Sequence, residues 1–116
     1  VDEASKKYGT SNIRFHHANI LDIQIPSTDL IMCKDVLGHL PDDMVILILD
    51  KIRASGAKYF AAHTFPNYSN QDRKLEVGQF ALMDLEKAPY FLGKALDSVD
   101  ITNPGWPEKR FSIWKL

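Results

Sequence analysis

Two continuous apolar runs frame this chain. Leu30-Ile31-Met32-Cys33 and Tyr59-Phe60-Ala61-Ala62 are each bounded by polar residues. The first predicts a strand buried on both faces, and the second another apolar strand within Lys58 to Thr64. Between them, Pro41-Asp42-Asp43 opens a helix: proline suits the first turn, and acidic side chains favour the positive end of the dipole. Met44, Ile46, Leu47, Leu49 and Ile52 then predict one broad apolar face, with Lys51 and Arg53 complementing the C-terminus and Ser55-Gly56 ending the helix.

Upstream, Asp2 to Tyr8 is helix-like and Gly9 is a natural stop. Asn12 to His17 alternates apolar with polar and predicts a strand, followed by a connecting loop from Ala18 to Ser27. Downstream, Leu96 to Ile101 and Phe111 to Leu116 predict two antiparallel strands joined by a proline- and glycine-containing connection. The segment between, residues 66–94, is turn-rich and then aromatic without a period. An irregular excursion of that length in a small domain predicts a lid or binding loop. The fold class expected is therefore α/β, mostly parallel, with a C-terminal antiparallel hairpin.

The sheet determines where chemistry belongs. In an open α/β sheet, ligands bind beyond the carboxyl ends of the strands. Cys33, Lys34, Asp35 and His39 follow the first apolar strand, and His63 ends the second. His63 is a candidate general base, since its pKa lies near neutrality; the plain alternative is a strand-end histidine that only packs. His39 lines a pocket or merely packs near Pro41. Tyr68, Phe80, Tyr90, Phe91 and Trp106 are candidates for an acceptor pocket, although Phe91 and Trp106 read better as covering the core edge. His16 and His17 are adjacent and on a strand would face opposite ways, so the four histidines suggest no metal site.

Composition removes several classes. The 116 residues carry 14 basic and 15 acidic side chains, a net charge of −1, and no basic block, which argues against nucleic acid as a partner. The longest apolar run, Met44 to Leu49, is too short to span a bilayer. The lone cysteine, Cys33, excludes an internal disulfide and fits a reducing, cytoplasmic setting.

The run Asp29-Leu30-Ile31-Met32-Cys33-Lys34-Asp35-Val36-Leu37-Gly38-His39-Leu40 resembles the fourth strand and following loop of class I S-adenosylmethionine (AdoMet)-dependent methyltransferases, D-L-(apolar)-x-C/S-R/K-D-V-L-x-H-L. Ala18-Asn19-Ile20 resembles the family's triplet after the third strand. Arg53-Ala54-Ser55-Gly56-Ala57 resembles the entry to the fifth. Thr64-Phe65, Asn70-Gln71-Asp72, Gly78-Gln79-Phe80 and Asp84-Leu85 with Pro89-Tyr90 follow the order of one subgroup.

The resemblance implies a Rossmann-like sheet whose last strand is antiparallel and inserted beside the fifth. It implies that residues 1–116 are the C-terminal portion of one domain, strands three to seven, without the glycine-rich loop, and with residues 66–94 as the lid. AdoMet is the implied cofactor, with Asn19 and Ile20 at the adenine and Cys33, Lys34, Asp35 and His39 at the rest of the cofactor. A small-molecule O or N acceptor would meet Asp72, Phe80 and Asp84, with His63 as catalytic base. The alternative class is a non-catalytic Rossmann-like domain that binds a nucleotide or a partner. A nucleotide-sugar transferase would lack the Asp35-to-Leu40 loop pattern.

Overall fold

The computed structural model describes residues 2–73, 75 and 79–116, the side chain of Asp72 excepted. Four strands form one sheet: β1 (Leu30–Cys33), β2 (Tyr59–Thr64), β3 (Asp97–Asp100) and β4 (Arg110–Lys115), in the spatial order β1-β2-β4-β3. β1 and β2 are parallel, with Ile31 opposite Phe60 and Cys33 opposite Ala62. β4 is antiparallel to both its neighbours and sits between them, with Phe111 opposite His63 on one side and Val99 on the other. This is the expected mixed sheet, including the inserted last strand.

Besides the short α1 (Asp2–Tyr8), which buries nothing, one long helix, α2 (Asp42–Ala54), crosses from β1 to β2. Parallel neighbours need such a crossover, since no tight turn reverses the chain far enough. Its buried stripe is Val45, Ile48, Leu49 and Ile52, the i, i+3, i+4, i+7 series of a 3.6-residue period. Leu47, expected on this face, is out of phase with that stripe and 54% exposed. The stripe meets Phe60, Ala62 and Trp114 of the sheet, and the Phe60 and Trp114 rings stack with centroids 6.1 Å apart. No helix is long and apolar enough to cross a membrane.

Two strand expectations change. Residues 12–17 form no strand: they are exposed, and Thr10 turns the chain locally by accepting from the Asn12 and Ile13 amides. A strand needs a ladder partner, and none is paired with this stretch among the described residues. β1 is not buried on both faces either. Ile31 and Cys33 pack on the core, but Leu30 is 42% and Met32 57% exposed on the opposite face, and β1 is the outer strand of the sheet.

The excursion expected as a lid is built into the core. Met83, Leu85 and Tyr90 are fully buried there. The Phe65 amide donates to Met83 O and the Leu85 amide to Thr64 Oγ1, each at 2.8 Å, so residues 83–85 lie alongside the end of β2. The Asn70 side chain grips the same segment, donating to Asp84 O and Ala88 O and accepting from the Asp84 amide.

The strongest tie is Arg73. Its buried guanidinium pairs with Asp42 at the start of α2 and donates to Leu40 O at 2.8 Å and Gly38 O at 3.3 Å. The Tyr90 hydroxyl donates to Asp42 Oδ1 at 2.6 Å. Burial, then that carboxylate, holds the Tyr90 phenol far above its ordinary pKa, so it stays a donor. Removing one partner of a buried pair strands the other. Arg73→Met is expected to lower unfolding free energy by about 3 kcal/mol and Tyr90→Phe by about 1 kcal/mol, read by urea denaturation; a neutral Arg73→Met would contradict the hub. Among the described residues nothing pairs with the outer edge of β1, and such an edge invites pairing between chains, so in the 116-residue chain Met32→Lys is expected to reduce self-association in analytical ultracentrifugation; unchanged sedimentation would clear that edge.

Candidate active site

Strand register assembles the site. β1 and β2 run parallel, so the residues that follow Cys33 emerge level with the end of β2, where Cys33 pairs with Ala62. β4 runs antiparallel and begins where β2 ends, with Arg110 opposite Thr64. Lys109, the residue before β4, therefore returns to the carboxyl ends of the parallel strands. Three chain segments bring Asp35, His63 and Lys109 together.

His63 Nδ1 lies 2.6 Å from Asp35 Oδ1, and Lys109 Nζ lies 3.3 Å from the same oxygen. The imidazole contact is close but not aligned along an N–H bond. Asp35 adopts φ 55°, a left-handed turn that few non-glycine residues accept. That turn reverses the chain sharply after β1 and turns the carboxylate back toward β2.

The electrostatics are mutual. Desolvation acts to raise the Asp35 pKa, but His63 and Lys109 outweigh it and hold the carboxyl below its ordinary value. For His63, burial comes first and the Lys109 charge second; together they exceed the pull of Asp35 and leave the imidazole below its ordinary pKa. His63 is thus neutral at neutral pH, with Nδ1 toward Asp35 and Nε2 remaining. Burial also pushes the Cys33 thiol up, so it stays protonated and packs.

Apolar and aromatic groups enclose the triad. The His63 ring meets the edge of Phe111 at 5.3 Å, and Lys109 Nζ sits 5.8 Å from the Phe65 ring centre. Phe65 and Phe80 pack edge-on at 5.9 Å. Phe80 in turn lies against the 3-10 turn Leu37–His39: a Cβ on Gly38 would stand 2.1 Å from its ring, and the Ala81 amide donates to Gly38 O. One narrow cleft is lined by Cys33, Asp35, Gly38, His63, Phe65 and Lys109. On the other side of Asp35 and His63 an open hollow of about 1000 Å³ is lined by Met32, Lys34, Val99 and Phe111.

The expected site residues divide. Cys33, Lys34, Asp35, His63 and Phe80 line the crevice. His39 stands beside it, its ring 5.2 Å from Phe80 and its Nδ1 3.3 Å from Gln79 O, on the Phe80 side rather than at the strand end. Asn19 and Ile20 do not line it. The Asn19 amide oxygen accepts from the Leu21 amide, and Leu21 O accepts from Lys51 in the last turn of α2, which draws that loop away from the strand ends. Asp84 is buried in its own loop, accepting from the Glu86 amide and pairing with Lys87, because its backbone is held by Asn70. The Asp72 side chain and Gly78 lie outside the described residues. Of the other aromatics, Tyr90 is a core residue, and Phe91 and Trp106, each 72% exposed, cover no core. Lys109 and Arg73 were not among the expected residues. The hairpin register alone could have located Lys109, since an antiparallel return must bring the residue before β4 beside the end of β2.

No protein-family profile and no curated protein sequence matches this chain. Solved structures do. Magnesium protoporphyrin IX methyltransferase (ChlM) from Synechocystis PCC 6803 with bound SAM superposes with a TM-score of 0.63 at 12% identity, covering 99% of this chain and 52% of that one. The same enzyme with bound SAH gives 0.65 at 13% identity, covering 99% and 57%. The S-adenosylmethionine-dependent methyltransferase SibL in its apo form gives 0.62 at 10% identity, covering 98% and 38%. The chain thus spans about half the length of the first two. Its fold is that of part of a class I S-adenosylmethionine-dependent methyltransferase.

Proposed function

We propose that this chain is the C-terminal portion of a methyltransferase that transfers a methyl group from AdoMet to an oxygen or nitrogen of a small-molecule acceptor, acting in the cytoplasm. The observation that carries the reading is the Asp35, His63 and Lys109 cluster at the carboxyl ends of β1 and β2, the place where open α/β sheets bind ligands.

The residues present suit the cationic end of AdoMet. Asp35 offers a carboxylate held ionised on an exposed turn, next to the exposed Val36 and the edge of the His63 ring. Cys33, Lys34 and Asp35 are assigned to that end; the described residues supply no adenine contact from Asn19 or Ile20. Bound there, AdoMet would supply an activated methyl on a sulfonium. The chain's own groups then have separable tasks. Phe65 and Phe80 exclude water from the cleft. His63 Nε2 would take the proton of an acceptor hydroxyl or amine. Asp35 fixes the ring and compensates the imidazolium that forms.

Two measurements test this. In the full-length protein, labelled AdoMet is expected to label a small acceptor, and His63→Asn to lower turnover by about a hundredfold with cofactor affinity held; binding without transfer to any acceptor would favour the non-catalytic nucleotide-binding alternative. Independently, imidazole NMR is expected to show His63 titrating below the ordinary ~6.5. Lys109→Met removes a positive neighbour and should raise that pKa. Asp35→Asn removes the negative one and should lower it. Since the neutral ring is the base, turnover should fall as pH drops through the His63 pKa. A His63 that titrates above the ordinary value, or shifts of the opposite sign, would contradict the assignment.

A further inference from the structure

An open groove of about 770 Å³ adjoins the triad and is lined by Phe65, Phe80, Leu82, Trp106, Pro107 and Lys109, with Asn103 at its side. We infer that this groove takes a flat aromatic acceptor whose ionisable oxygen, a carboxylate or a phenol, is held at Lys109. The inference rests on the methyl-transfer reading for the reaction, but not for the binding.

The walls define the ring. Phe65, Phe80 and Trp106 supply three aromatic surfaces, with Leu82 and Pro107 completing an apolar lining. Aromatic surfaces favour planar guests through stacking and edge contacts. Trp106 is 72% and Phe80 46% exposed, a cost in water that a bound ring removes. The Phe80 ring and the Trp106 backbone are held in place. Gly38 leaves room for the Phe80 ring, which Phe65 braces. The Trp106 amide donates to Asn103 O within the β3–β4 connection, beside Gly105 at φ 79°.

Lys109 defines the polar end. It lines both this groove and the cleft at His63. Its Nζ donates to Asp35 at 3.3 Å, and an ammonium carries three donors. A ring in the groove therefore places an attached oxygen next to Lys109. An oxygen anion is favoured there over a neutral group by charge-assisted hydrogen bonding.

The test is tryptophan fluorescence of the full-length protein without cofactor, with 2-naphthoate, 2-naphthol and the neutral 2-naphthalenemethanol as probes. Trp114 is buried and Trp106 is exposed, so quenching that disappears in Trp106→Phe reports the groove. Either 2-naphthoate or 2-naphthol is expected to bind about tenfold tighter than 2-naphthalenemethanol, and which of the two does so assigns carboxylate or phenol. Lys109→Met should abolish the preference and Lys109→Arg keep it. Phe80→Ala should weaken all three probes roughly threefold to tenfold. Equal affinities for the three probes, no quenching by any of them, or binding indifferent to Phe80→Ala would overturn the inference. Probe binding without methyl transfer would sink the proposed reaction alone; methyl transfer without probe binding would sink the groove alone.

Discussion

The fold depends on one buried cation. Arg73 caps the short 3-10 turn Asn70–Asp72, and its guanidinium reaches the start of α2 through Asp42 and the turn before it through the carbonyls of Leu40 and Gly38. A guanidinium is costly to desolvate unless its donors are used. Here the carboxylate and carbonyls arrive from segments more than thirty residues away in sequence, so the cost is met only when the whole arrangement forms. Tyr90 closes the hub from the far end of the excursion. The excursion is thereby tied at both ends to the same helix start.

That tie shapes one wall of the candidate site. Of the carbonyls that answer Arg73, Gly38 O belongs to the 3-10 turn Leu37–His39 and Leu40 O to the residue that caps it, and Gly38 carries Phe80. The ring reaches Phe65, and Phe65 reaches Lys109. Arg73 and Lys109 are therefore linked through packed rings, with Asp35 and His63 at the end of the series. The opposing charges explain why His63 stays neutral while Asp35 stays ionised: burial penalises the imidazolium, and Lys109 supplies the charge that Asp35 needs.

Much of this was legible in the sequence, for local reasons. Leu30–Cys33 and Tyr59–Ala62 are apolar runs between polar brackets, and both are strands; Pro41-Asp42-Asp43 starts α2; the last two apolar stretches pair antiparallel. His63 and Asp35 were placed at the crevice because strand ends determine their position, and Phe80 was placed there by the resemblance of its loop. Contacts decided by tertiary structure were hidden. Asn12 to His17 alternates like a strand, but alternation supplies no ladder partner. Asp84 looked available for a ligand, but Asn70, fourteen residues earlier, holds its backbone inward. Arg73 carries no local signature, since an arginine in a polar stretch ordinarily faces water. Lys109 became visible only through the register of β4 against β2.

The central claim is that the cofactor's reacting end lies beside Asp35 and His63, with the acceptor groove on the Phe80 side. A crystal structure of the full-length protein with S-adenosylhomocysteine tests it most directly. The account predicts the thioether sulfur next to the Cys33-to-Asp35 turn, with its open side facing His63 and the aromatic groove. A cofactor sulfur seated on the α2 side of the core, or remote from His63 across the sheet, would contradict it.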